Sequence, residues 1–174
     1  MKKNVYFAIA PVLGFALVVG SMVAATAGYG YVSVPAAAFR PLSNIYSYTA
    51  DGYRVINMDD SEQYWVGHVQ LPHGVTVTSV EFFWRDVSSS HNARFDLRRH
   101  NRDNYSSESM AMVWSSGAAG DDSTEDTSIS YAVIDNTQYT YFLQAILPKT
   151  DTVLYGVTIE YTYQTSLSLV LSNF

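Results

Sequence analysis

Between residues 29 and 163, apolar and polar side chains alternate with a period of two. That period fits a half-buried β-strand and not an amphipathic helix. The pattern is cleanest over 153–163, where Val153, Tyr155, Val157, Ile159, Tyr161 and Tyr163 share one parity and Thr158, Glu160 and Thr162 the other. It recurs over 138–146, 64–71, 93–99 (Phe95 and Leu97 inward), 110–115 (Met110, Met112 and Trp114 inward) and 128–134 (Ile129, Tyr131 and Val133 inward), with a short edge strand over 54–57. Over 75–84 the apolar parity changes phase: Val75 and Val77 lie on one side, Val80, Phe82 and Trp84 on the other. A β-bulge near Ser79 is expected there.

Turn chemistry separates these runs: Pro72-His73-Gly74, Asp135-Asn136 and Pro148-Lys149-Thr150-Asp151. Only 35–39 reads as a helical turn. Eight or so short strands with turns between them predict an all-β fold, a single antiparallel β-sandwich of jelly-roll type. A barrel closed on itself is the alternative.

The first 27 residues read differently. Lys2 and Lys3 precede an apolar run over 5–23, and Ala25-Thr26-Ala27 supplies a small-x-small cleavage site. Residues 1–27 are therefore expected to be a signal peptide and 28–174 the sandwich domain, secreted or held at the cell surface. A retained membrane anchor is the alternative, since 5–27 is long enough to span a bilayer. The chain has no cysteine, so packing alone must hold the fold. Removing Lys2 and Lys3 leaves eight basic residues against sixteen acidic ones, which argues against a nucleic-acid backbone as partner.

Three groups of residues carry candidate chemistry. Asp121, Asp122, Glu125 and Asp126 place four hard oxygen donors within six positions of an expected loop, the donor type calcium takes, although the spacing is not that of an EF-hand. Tyr64, Trp65 and Tyr105 are candidate sugar-stacking rings, because an aromatic ring offers an apolar face with polar edges. Trp84 and Trp114 fall in phase with the apolar sides of their strands and are assigned to the core. Arg94 and Arg98 share a strand face with Asp96 between them, and are expected either to pair across strands with Glu81 or Glu160 or to form an intermolecular patch. No nucleophile elbow, metal-spaced histidine pair or other catalytic signature occurs, and a non-enzymatic protein is expected.

Both ends of the domain are strand-like. Tyr29 and Tyr31 alternate at one end. Leu167, Leu169 and Leu171, with the terminal Phe174, alternate with serines in a tail over 164–174. Either end could pair within the fold or add to a neighbouring subunit as an extra strand.

Residues 35–41 (Pro-Ala-Ala-Ala-Phe-Arg-Pro), 69–78 (Val-Gln-Leu-Pro-His-Gly-Val-Thr-Val-Thr) and 155–161 (Tyr-Gly-Val-Thr-Ile-Glu-Tyr) resemble a pattern found in uncharacterised secreted bacterial β-sandwich proteins. The resemblance spans roughly 31–163. It implies the sandwich and brings no activity or catalytic residue with it. The leading expectation is an exported structural or interaction domain that associates with itself or with another cell-surface component. The second is a carbohydrate-binding module, calcium-assisted or not, with a glycan as partner. A small secreted hydrolase is the third.

Overall fold

The computed structural model describes residues 26–116, 120–150 and 152–165. Eleven strands follow in order: β1 (Thr26–Pro35), then a 3-10 turn (Ala36–Ala38), β2 (Phe39–Pro41), β3 (Tyr48–Ala50), β4 (Val55–Asn57), β5 (Gln63–His68), β6 (Thr76–Asp86), β7 (Arg94–Asn101), β8 (Ser107–Trp114), β9 (Gly120–Asp126), β10 (Tyr139–Leu147) and β11 (Thr152–Thr165). They form two antiparallel sheets. The six-stranded sheet runs β3-β4-β11-β6-β9, with β1 also on β11, and the five-stranded sheet runs β2-β5-β10-β7-β8. This is the expected sandwich, with two separate sheets where a barrel would have one. Among the described residues no helix is long and apolar enough to cross a membrane.

The core lies between the sheets because alternation sends every second side chain inward. Phe82 of β6 stacks on Phe95 of β7, ring centroids 5.2 Å apart, and so joins one sheet to the other. Trp65, Trp84, Leu143, Leu147, Leu154 and Ile159 are fully buried around them, each worth about 1.5–3 kcal/mol on transfer from water. A polar staple adds to this. Buried Asn57 of β4 donates from Nδ2 to the Leu147 carbonyl of β10 at 2.8 Å and to the Ser61 carbonyl at 2.7 Å, which ties the sheets together where a cysteine-free chain has no disulfide.

β1 begins at Thr26 and Ala27, the last two residues of the expected leader, paired with Thr165 and Gln164 of β11. Beyond Thr162, where β6 stops pairing with β11, β1 and β11 continue as a two-stranded ribbon. Gly28 and Gly30 leave room there for the rings of Tyr163 and Tyr161. A Cβ at Gly30 would sit 2.4 Å from Tyr161 Cζ, so a side chain there would push the Tyr161 ring aside.

The structure departs from the sequence reading in four places. In β11 Tyr155 is an extra residue, Leu154 pairing with Trp84 and Gly156 with Phe83, so Val153 and Tyr155 do not share the inward face of Leu154, Val157 and Ile159. The acidic segment expected as a loop is β9, an edge strand on β6. Residues 128–134, expected as a strand, form a turn with Tyr131 at φ 53° and a single bridge from Val133 to Thr76. Tyr131 and Val133 are exposed and Ile134 is buried. In β8 the inward face changes phase. Leu97 pairs with Ala111 and Arg98 with Ser109, which makes Met110 an extra residue. Met110 and Ala111 therefore both turn inward, while Met112 and Trp114 turn out, with Trp114 50% exposed. The bulge expected in β6 is present one residue from Ser79: Ser79 pairs with Glu160 and Val77 with Tyr161.

Candidate functional site

The outer face of the five-stranded sheet brings aromatic, amide, guanidinium and imidazole groups together. Strand register sets its rows. Tyr64, Ile146, Arg94 and Trp114 form the first, one residue each from β5, β10, β7 and β8. Arg40, Val66, Gln144, Asp96 and Met112 form the second. His68, Phe142, Arg98 and Ser109 form the third, and Thr140, His100 and Ser107 the fourth. Burial alternates accordingly: Tyr64, Val66 and His68 are partly or fully exposed, while Trp65 and Gly67 between them are buried. Three strand spacings give a platform about 14 Å across, and the six residues from Arg94 to His100 make it about 20 Å long.

A buried carboxylate organises its centre. Asp96 is completely buried, and its Oδ1 accepts from Arg94 Nη2 at 2.8 Å and from Ser109 Oγ at 3.1 Å, with Arg98 Nη1 at 3.8 Å. Arg98 also donates from Nε to Ser107 Oγ at 3.3 Å. The expected cross-strand partners of these arginines, Glu81 and Glu160, lie on β6 and β11 in the other sheet, so that pairing does not occur. At one edge the Arg94 guanidinium carbon lies 5.8 Å from the Trp114 ring centroid. Tyr64 completes that row, and its phenol is pushed above the ordinary value by a hydrogen bond that its hydroxyl donates to the neighbouring Glu62 carboxylate.

At the far end the platform opens into a cleft of about 550 Å³ lined by His68, Gln70, Arg102, Asn136 and Thr140 among others. Its walls are fixed. Arg102 donates to the carbonyls of Asn136 and Thr137, Asn136 donates from Nδ2 to the Leu71 carbonyl at 2.8 Å, and the Asn136 N–H donates to His73 Nδ1 at 3.1 Å. Tyr105 stands at the same end, 80% exposed at the tip of the β7–β8 hairpin, its ring centroid 6.4 Å from that of His100. Its φ of 59° is unusual for an aromatic residue. The hairpin holds it through Asn101 Oδ1, which accepts the Asp103 N–H, and Asn104 Oδ1, which accepts the Ser106 N–H.

The structure therefore brings Tyr64 and Tyr105 onto one face with Trp114 and leaves Trp65 out. Trp65 is fully buried, with the Tyr48 ring edge-on at 4.8 Å, because its parity on β5 points into the core. A ring so placed has no free face, which corrects its assignment as a ligand-stacking residue.

The acidic group does not converge. On β9 the alternation sends Asp121 and Glu125 to one face and Asp122 and Asp126 to the other. Asp121 is occupied by Arg85 Nη1 at 3.4 Å and the Tyr155 hydroxyl at 2.6 Å, and Asp126 accepts the N–H groups of Met112 and Ser128. Burial, with this bond to Asp121, raises the Tyr155 phenol above its ordinary value. Among the described residues no three acidic or histidine side chains gather as a metal site. Tyr29 and Tyr31 are exposed on the outer side of β1, while Leu167, Leu169, Leu171 and Phe174 lie outside the described residues.

No protein-family model matches the chain, and no curated protein matches it. Solved structures share the fold. The C-terminal CBM6 of LamC, a marine laminarinase from Zobellia galactanivorans, superposes with a TM-score of 0.51 at 9% identity over 75% of this chain and 98% of that one. The CBM22-1–GH10 portion of xylanase 10B from Clostridium thermocellum, in complex with xylohexaose, gives a TM-score of 0.50 at 15% identity over 72% of this chain and 26% of that chain. A xylan-binding module, CBM15, matches at a TM-score of 0.45 and 18% identity, over 76% of this chain and 97% of that one. The chain is thus similar in architecture to β-sandwich carbohydrate-binding modules.

Proposed function

We propose that the protein is a non-catalytic carbohydrate-binding module that holds a glycan against the outer face of its five-stranded sheet. The carrying observation is Trp114, half-exposed at the edge of a platform that mixes apolar side chains with the amide of Gln144, the guanidiniums of Arg40, Arg94 and Arg98 and the imidazoles of His68 and His100. A sugar presents an apolar face to a ring and hydroxyls to such groups. The platform is preformed by strand register, so binding orders little backbone. The sandwich shared with carbohydrate-binding modules supports the reading at the level of architecture. An export leader, as expected for residues 1–27, would put the module outside the cytoplasmic membrane.

Intrinsic fluorescence tests this, because Trp65 and Trp84 are buried and Trp114 is the exposed indole. Titration with soluble oligosaccharides should blue-shift and quench the Trp114 component, and immobilised glycan should retain the protein. No spectral change and no retention across neutral and acidic glycans would overturn the proposal.

A second reading, association through strand addition, has one observation in its favour. The outer edge of β1 is free among the described residues, and Tyr29 and Tyr31 are each 64% exposed on that strand. Light scattering of the purified protein distinguishes a monomer from an assembly.

A further inference from the structure

We infer that the glycan taken by this platform is anionic, its repeating sugars bearing carboxylate or sulfate groups. The inference rests on the glycan-binding reading and specifies its ligand.

The observation is a separation of charge between the two sheets. The chain carries an excess of acid, yet Glu81, Asp121, Asp122, Glu125, Asp126 and Glu160 all lie on β6, β9 and β11 of the six-stranded sheet. The outer rows of the five-stranded sheet hold Arg40, Arg94 and Arg98 against one carboxylate, Asp96. Within the rows three guanidiniums face one carboxylate, with Glu62 beside Tyr64 and Asp126, which accepts the Met112 N–H, at the margin, so the centre of the platform is the positive part of a negative protein. Such a field draws an acidic polymer to this face and away from the other.

The local geometry agrees. Asp96 is reached by Arg94 through a single N–H···O bond to Oδ1, and Asp96 Oδ2 and Arg94 Nε are both buried without a partner among the described residues. The pair is not the bidentate fork that would saturate both groups. Arg98 stays 3.8 Å from the same oxygen, bound otherwise to Ser107 through weak contacts of 3.3 and 3.4 Å. A guanidinium held this loosely keeps donors for an incoming acid group. Arg94 beside Trp114 places a cation next to a stacking ring, so the ring can receive a sugar face while the arginine receives its acid substituent.

Affinity electrophoresis of the purified protein decides the point, with polygalacturonate, alginate and chondroitin sulfate run beside xylan and laminarin at low and high salt. The expected result is retardation by the acidic polymers, lost at high salt, with little by the neutral ones. Retardation by polygalacturonate and alginate shows that carboxylate alone suffices, whereas retardation by chondroitin sulfate alone, which carries both groups, shows that sulfate is required. Arg98→Gln and Arg40→Gln should each weaken retardation several-fold, and the double variant about tenfold or more. Arg98→Gln removes the longer of the two ion pairs to buried Asp96 and leaves the 2.8 Å bond from Arg94 in place, and near-ultraviolet circular dichroism checks that both variants fold. Equal retardation by neutral and acidic polymers would overturn the anionic preference and leave the glycan platform standing. No retardation by any polymer would overturn both. Acid-selective retardation unchanged in the double variant would overturn this location for it.

Discussion

The guanidinium carbon of Arg94 lies 5.8 Å from the ring centroid of Trp114, its direct partner across β7 and β8. The contact is at the outer range of a cation–π pair and worth about 0.5–1 kcal/mol at such a half-open site. Its larger effect is positional. The indole is held over its own strand edge by a neighbour that is itself tied to a fully buried carboxylate, so half of the ring remains free in a fixed place.

Trp114→Ala should therefore abolish glycan retention, weakening affinity at least tenfold for a lost stacking contact, while changing stability by only about 0.5 kcal/mol. Trp65→Ala should do the reverse. It empties a fully buried site and costs about 3–5 kcal/mol, with affinity per folded molecule preserved. Urea unfolding beside affinity electrophoresis separates the two, and a Trp114 variant that binds normally would remove that ring from the site.

The sequence of β8 hides the exposure of Trp114. Met110, Met112 and Trp114 make a regular apolar parity, and nothing in Ser109-Met110-Ala111 signals that Met110 is an extra residue opposite Leu97 and Arg98. One bulge reverses every side chain after it. β9 was illegible for a different reason. Gly120-Asp121-Asp122-Ser123-Thr124-Glu125-Asp126 contains no apolar residue, and it is a strand because β6 offers it an edge to pair with. The central strand β10, whose inward Tyr141, Leu143, Ala145 and Leu147 are all apolar, is readable, as is β11 beyond its bulge at Tyr155. Tyr64 and Tyr105 were readable as candidate rings, but their place on one face with Trp114 depends on strand order, which periodicity does not encode.

Gly30→Ala should loosen β1 without disturbing the core. The new methyl meets the Tyr161 ring, which must swing away from the strand it covers, whereas the same change at Gly52 meets nothing within 4 Å. Hydrogen exchange should show faster exchange of β1 amides and unchanged protection in β7 and β10, with a stability loss of about 1 kcal/mol. Gly52→Ala should be neutral. Equal behaviour of the two variants would contradict the close approach.

Calcium should leave the melting temperature unchanged, as should its removal by chelator. The four carboxylates of β9 divide between two faces, and Asp121 and Asp126 already accept protein hydrogen bonds, so no six- to eight-oxygen shell can close without breaking the strand. Calorimetry with and without the ion checks this. A rise in melting temperature with calcium would place a site in residues outside those described or require β9 to rearrange.

The wall of the cleft should respond to acid through Asp135. The Thr137 hydroxyl donates to Asp135 Oδ1 at 2.5 Å and the Thr137 N–H donates to the same oxygen at 2.9 Å, and these bonds hold the carboxyl below the ordinary aspartate value of 3.8. A carboxyl depressed in the folded state adds stability that is fully present above the unfolded value and is lost as pH falls through the folded one. Thr137→Val removes the hydroxyl donor and keeps the backbone N–H. The Asp135 carboxyl should then titrate closer to 3.8, and the protein should lose its acid tolerance at a slightly higher pH. Carbon-detected NMR titration of both proteins measures the shift, and identical titration curves would show that the backbone bond alone sets it.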